Sequence, residues 1–60
     1  LSYVKFIESN LSGANLSNAN LSNADLSSSI LFNTDFFNAS LQDVIILNAN
    51  LSCINHEICN

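Results

Sequence analysis

A leucine, or a close substitute, recurs at every fifth position: Leu11, Leu16, Leu21, Leu26, Leu31, Phe36, Leu41, Ile46 and Leu51, with Phe6 and Leu1 extending the series backwards. Two residues before each stands a small or short side chain: Ala14, Ala19, Ala24, Ser29, Thr34, Ala39, Val44 and Ala49. A period this short and strict is an internal repeat, and a repeat dictates architecture before any single residue matters. Neither regular element accepts it. On an α-helix five residues advance roughly 500°, a net turn of about 140°, so the leucines would scatter around the cylinder. On a flat strand an odd period sends successive leucines to opposite faces. The chain must therefore bend once per repeat.

The residues after each leucine show where it bends. They are Ser12-Gly13, Ser17-Asn18, Ser22-Asn23, Ser27-Ser28, Phe32-Asn33, Phe37-Asn38, Gln42-Asp43 and Leu47-Asn48. The second of each pair is nearly always Asn, Asp or Gly, the residues that tolerate positive φ, as the third position of a type II turn requires. Each pentapeptide reads as a very short strand with two inward side chains, followed by a corner.

The segments A-N-L-S-N (Ala14 to Asn18, Ala19 to Asn23) and A-D-L-S-S (Ala24 to Ser28) resemble the pentapeptide-repeat consensus, an A-[DN]-L-x-x tandem array. The resemblance runs from Leu1 to about Ser52. It implies an all-β fold: a right-handed quadrilateral β-helix, or β-solenoid, of about three coils, each built from four pentapeptides. Residues twenty apart would then stack in columns such as Leu1-Leu21-Leu41, Phe6-Leu26-Ile46, Leu11-Leu31-Leu51 and Leu16-Phe36-His56, with Val4-Ala24-Val44 and Ala19-Ala39-Cys59 beside them. The expected organisation is a solenoid over 1–52 and a degenerate last repeat or terminal cap over 53–60. The residue before each leucine points outward: Asn10, Asn15, Asn20, Asp35, Asn50 and Asn55. Stacked Asn side chains there could bond along the column, and Asp25 and Asp35 are read as aids to solubility.

Sixty residues make one small domain at most, or a piece of one, and a first residue that is Leu rather than Met points to a mature product or part of something longer. The net charge of −4 arises from five acids against one base, Lys5, so the basic footprint of a nucleic-acid binder is missing. No apolar run exceeds Val44 to Leu47, so no membrane span is expected. The compartment is left open, with the cytoplasm slightly favoured.

No base, nucleophile and orienting group can be assembled, and the single glycine, Gly13, excludes a phosphate-cradling loop. The expectation is a chain that is not an enzyme, with no cofactor, no metal and no small-molecule substrate. Cys53, His56 and Cys59 form C-x-x-H-x-x-C, but structural zinc wants four ligands and Glu57 is a poor fourth. Register places Cys53 outward at a corner with His56 and Cys59 inward, so they would converge only if the coil breaks. The readings left are a decaying repeat and a Cys53–Cys59 disulfide. The N-x-S triplets at Asn10, Asn15, Asn20, Asn38 and Asn50 are glycan-acceptor sequons in form, and are read as by-products of the repeat.

Several outward positions hold apolar groups against the consensus: Ile7, Ile30, Phe32, Phe37, Ile45 and Leu47. They form the candidate interaction surface. The leading expectation is a non-catalytic structural or protein-interaction module that can also stack end to end, because terminal coils expose unpaired strand edges. Its partner would be a protein or a second copy, as a dimer or filament, with no nucleic acid and no membrane. Two alternatives stand beside it. Some members of the resembled family mimic DNA and bind DNA gyrase, but here Glu8, Asp25, Asp35, Asp43 and Glu57 fall on different faces of a short rod. The other is a self-assembling fibre subunit, which low charge and the absence of proline allow.

Overall fold

The computed structural model describes residues 3–59. Leu1, the first of the leucine series and the foot of its column, lies outside the described residues, as does Asn60 of the terminal segment. The backbone pairs with itself in parallel through isolated bridges: Lys5 with Asp25, Asn10 with Ile30, Asn15 with Asp35, Asn20 with Ser40, Asp25 with Ile45 and Ile30 with Asn50. Each pair is separated by twenty residues, and bridging residues recur every fifth position, so the chain winds in twenty-residue coils. We number these coil one (3–20), coil two (21–40) and coil three (41–59). The paired segments stay short because the chain turns after each of them.

The bonding follows from the alternation of outward and inward residues. Outward Asp25 donates its N–H to Val4 O (2.9 Å) and accepts from Phe6 N (2.7 Å), both in coil one. Inward Leu26 donates the other way, to Ile45 O of coil three (2.7 Å). Successive residues thus tie coil two to both neighbours, which satisfies backbone groups that burial would otherwise leave unpaired.

From Ser9 to Ala49 each corner is closed by the short residue donating back to the large apolar residue three before it, as in Ala14 N to Leu11 O (3.0 Å) and Ala24 N to Leu21 O (3.0 Å). The residue before the donor carries positive φ: Gly13 at 71°, Asn18 at 64°, Asn23 at 62°, Asn38 at 61°. That is the type II requirement, met mostly by residues that bear it cheaply. Tyr3 (64°), Glu8 (60°) and Ser28 (58°) adopt it as well, and each donates its own N–H to a carbonyl of the next coil, Ser22 O (3.1 Å), Ser27 O (2.9 Å) and Leu47 O (2.8 Å).

The core lies in coil two. Leu21, Leu26, Leu31 and Phe36 are wholly buried, while Phe6, Leu11, Leu16, Ile46 and Leu51 of the outer coils are half-buried. Full burial of such a side chain is worth roughly 1.5–3 kcal/mol, so the middle coil holds most of the apolar stabilisation. Ser29 and Thr34 replace alanine inside because each hydroxyl finds a carbonyl: Ser29 Oγ donates to Leu26 O (2.6 Å) and Thr34 Oγ1 to Leu11 O (2.7 Å). Among the described residues no buried side-chain polar atom lacks a partner.

The twenty-residue register holds through Ser52, whose carbonyl accepts from Asn33 N (2.9 Å). It then breaks. Asp35 bridges Ile54, one residue short of the expected Asn55, and Ile54 N donates to Thr34 O (2.9 Å) instead of closing a corner on Leu51. Cys53 does not adopt positive φ. This corrects the expectation that Cys53 faces out. With the corner omitted, it turns inward in register with Thr34 and is 4% exposed. Ile54 takes the outward place, and Asn55 supplies the positive φ (67°) two residues late. His56, expected to continue the Leu16-Phe36 column, is half-buried. Beyond Ile54 no backbone bond among the described residues reaches coil two.

Candidate interaction surface

The outward positions do two different things. Where they hold Asn or Asp, the side chain caps the next corner. Asn10, Asn20 and Asn50 Oδ1 accept from the N–H of Ser12 (3.0 Å), Ser22 (3.1 Å) and Ser52 (3.0 Å), and Asn15 accepts from Ser17 N (3.0 Å). Asp25 and Asp35 do the same for Ser27 (3.0 Å) and Phe37 (2.9 Å). These are Asx-turns, in which the side chain satisfies a donor two residues on. Among the described residues, bonding along an outward column occurs in the one that register assigns to Asn15, Asp35 and Asn55, where Asn55 Nδ2 donates to Asp35 Oδ1 (3.0 Å), and it pairs Asn with Asp rather than Asn with Asn. An Asn–Asn bond between residues twenty apart lies in a corner column instead, from Asn38 Nδ2 to Asn18 Oδ1 (3.0 Å). Nor are Asp25 and Asp35 mere solubilising charges. The Ser27 hydroxyl, the Ser27 N–H and Lys5 hold the Asp25 carboxyl below its ordinary value, and Asn55 and the Phe37 N–H do so for Asp35.

Where outward positions hold apolar groups, the side chains stay exposed. Leu47 (69% exposed), Phe37 (59%) and Phe32 (53%) stand furthest out, and Ile7, Ile30 and Ile45 are also exposed. Ile7 and Leu47 occupy the same corner column with Ser27 between them, and Ile45 lies two residues before Leu47 on coil three. Ile30 and Phe32 border the following corner of coil two. Phe37, one corner further on, stands apart from both groups in register. Two exposed apolar residues join the set that sequence reasoning did not single out, Tyr3 and Ile54. The first could have been found as an aromatic in the positive-φ corner slot. The second could not, because its exposure depends on the broken register.

The terminal segment places Cys53 and Cys59 at a Cα–Cα distance of 5.0 Å, joined by a disulfide. Ile58 and Cys59 pack against the core cluster, and Ile58 N donates to His56 Nδ1 (3.3 Å). With both thiols in that bond, no cluster of metal-ligating side chains gathers among the described residues.

A family model of pentapeptide repeats matches residues 1–36 with eight copies of the repeat. The chain belongs to the pentapeptide-repeat family and is a β-helical repeat protein. The coil itself carries the same register on past the matched span, to Ser52. No curated protein and no solved structure matches the chain.

Proposed function

We propose that this chain is a non-catalytic scaffold: a right-handed quadrilateral solenoid of about three coils that presents a protein-binding surface on its sides and associates with its own kind through its ends. The observation that carries this reading is the contrast between a fully satisfied interior and an outer wall where Ile7, Ile30, Phe32, Phe37, Ile45 and Leu47 stand exposed in place of polar residues. Exposed apolar groups gathered near neighbouring corners mark interaction sites more often than isolated ones. The Cys53–Cys59 disulfide favours an oxidising compartment over the cytoplasm. Of the five carboxylates, Asp25 and Asp35 are tied into corners, which leaves little for a DNA-like surface.

The surface is tested with a dye that brightens on exposed apolar patches. Folded wild type should enhance its fluorescence, and the Phe32→Ser/Ile45→Ser/Leu47→Ser variant should lose that enhancement with an unchanged circular dichroism spectrum. Equal fluorescence from the two proteins counts against a shared surface.

A further inference from the structure

We infer that the side wall made by 4–6, 24–26 and 44–46, with the corners that border it, docks a basic segment of another protein through an apolar anchor; this rests on the protein-binding surface proposed above and names its wall and the chemistry of its partner. The outward column of this wall is Lys5, Asp25 and Ile45, joined by parallel bridges. The corner before it carries Tyr3, Asn23 and Asp43, all at positive φ. The corner after it carries Ile7, Ser27 and Leu47, with Glu8 next to Ile7. Tyr3, Ile7, Ile45 and Leu47 are all exposed. The preceding wall is unlike it, because its outward column, Asn20 and Ser40, is neither charged nor apolar.

The charges on this wall do not cancel. The Ser27 hydroxyl and N–H, together with Lys5, hold the Asp25 carboxyl below its ordinary value, so it is ionised at neutral pH. Lys5 is the chain's single Lys or Arg, and it stands in the Asp25 column. Glu8 and Asp43 are exposed and have no cation of their own on the wall. A partner that covers the apolar groups must therefore bring positive charge to both corners. A second copy suits the wall poorly, since it sets net negative charge against net negative charge.

The wall also dictates how the partner binds. Asp25 and Leu26 direct their N–H groups along the coil axis to Val4 O and Ile45 O, so the wall offers no strand edge and docking is by side chains alone. Ile7 and Leu47 stand two coils apart, about 10 Å at β-strand spacing. Ser27 between them is smaller and turns its hydroxyl to Asp25 (2.6 Å), so the column dips at its middle. An aliphatic or aromatic side chain fits the dip, and a Lys or Arg on either side of it reaches Glu8 and Asp43, which lie diagonally across the wall.

Fluorescence anisotropy tests this with a dye-labelled synthetic peptide in which Leu alternates with Lys, and its Leu/Glu counterpart as control. The proteins are wild type, Glu8→Gln/Asp43→Asn, Ile45→Ser/Leu47→Ser, and Phe37→Ser, which lies off the wall. Wild type should bind the Leu/Lys peptide and not the Leu/Glu one. The first two variants should bind about tenfold more weakly or worse with unchanged circular dichroism, and Phe37→Ser should bind as wild type does. If Ile45→Ser/Leu47→Ser unfolds, the carboxylate variant decides alone. Equal binding of both peptides, no binding of either, or full binding by the folded wall variants overturns this inference. So does a dimer in sedimentation that Ile45→Ser/Leu47→Ser abolishes, since the wall then belongs to a second copy. Each of these leaves the exposed surface itself to the dye enhancement described above, which fails only if that surface is absent.

Discussion

Coil two and the segment after Ser52 are built from the same kind of residues on the same nominal spacing, yet one is the most regular part of the molecule and the other leaves it. In coil two every corner has its positive-φ residue, Asn23, Ser28, Asn33 or Asn38, and every inward position is filled by a side chain the interior accepts. After Ser52 the corner slot falls to Cys53, the narrow inward slot to Ile54 and the broad inward slot to His56. Keeping the register would place Cys53, which lacks the local side-chain bonding of an Asn, in the left-handed region, at about 1–2 kcal/mol. It would also force Ile54, larger than the Ala14 and Thr34 of its column, into the narrow inward slot and bury an imidazole. Dropping one corner moves the positive φ from Cys53 to Asn55, which bears it more cheaply, and leaves Ile54 exposed and His56 only half-buried. Leucine spacing alone therefore does not sustain the coil; the small residue and the corner residue must agree with it.

Substitutions separate the two regions most sharply at the core. Leu21→Asp, a charge in the buried stack of coil two, should abolish the fold, read as loss of β-type circular dichroism; retained signal counts against the coil. Leu26→Ala should cost about 2–5 kcal/mol in denaturant unfolding, and Ile58→Ala less than half of that measured loss. Equal losses would mean that the terminal segment belongs to the core after all. Next in size is the bridge. Cys53→Ser/Cys59→Ser removes a short loop, with a sequence separation of 6, and should cost about 2 kcal/mol on loop-closure grounds, while amide exchange in coil two keeps its protection pattern.

A smaller effect sharpens the contrast between capped and uncapped corners. Ile30 stands where Asn10 and Asn50 cap theirs. Ile30→Asn should add the missing bond and raise stability by about 0.5–1 kcal/mol, seen as a higher melting temperature. A lower one would mean that the isoleucine is packed rather than displayed. The smallest effect is electrostatic. Asp25 and Asp35 have folded pKa values below their unfolded ones, so between the two the unfolded chain binds more protons and stability rises with pH. Their contribution is present above about pH 4 and is lost as pH falls through the folded values. Asp25→Asn/Asp35→Asn keeps both corner acceptors and should flatten the acid side of the melting profile; an unaltered slope would remove these two groups as its source.

The coil register, the inward columns and the positive-φ corners were legible because each rests on a repeated local preference, visible ten times over. The caps of Asn10, Asn15, Asn20 and Asn50 were written in the same N-L-S triplets that spell sequons, and were missed because the eye goes to stacking between coils rather than to the donor two residues on. The inward turn of Cys53 could not be read from spacing. It follows from a competition between Cys53, Ile54 and His56 for slots that suit none of them, and only the packed chain resolves it. Exposure of Ile7, Ile30, Phe32, Phe37, Ile45 and Leu47 followed directly from register, but whether they touch one another depends on corner geometry that the sequence does not contain.

Residues twenty apart lie side by side from Lys5 to Asn50. Nuclear Overhauser contacts measured on the isotope-labelled chain test this directly. The Leu26 amide proton should see the Ile45 α-proton, and the Leu31 amide proton that of Asn50, matching the bonds to those carbonyls. Backbone contacts confined to neighbours three or four residues apart, with none near twenty, would contradict it.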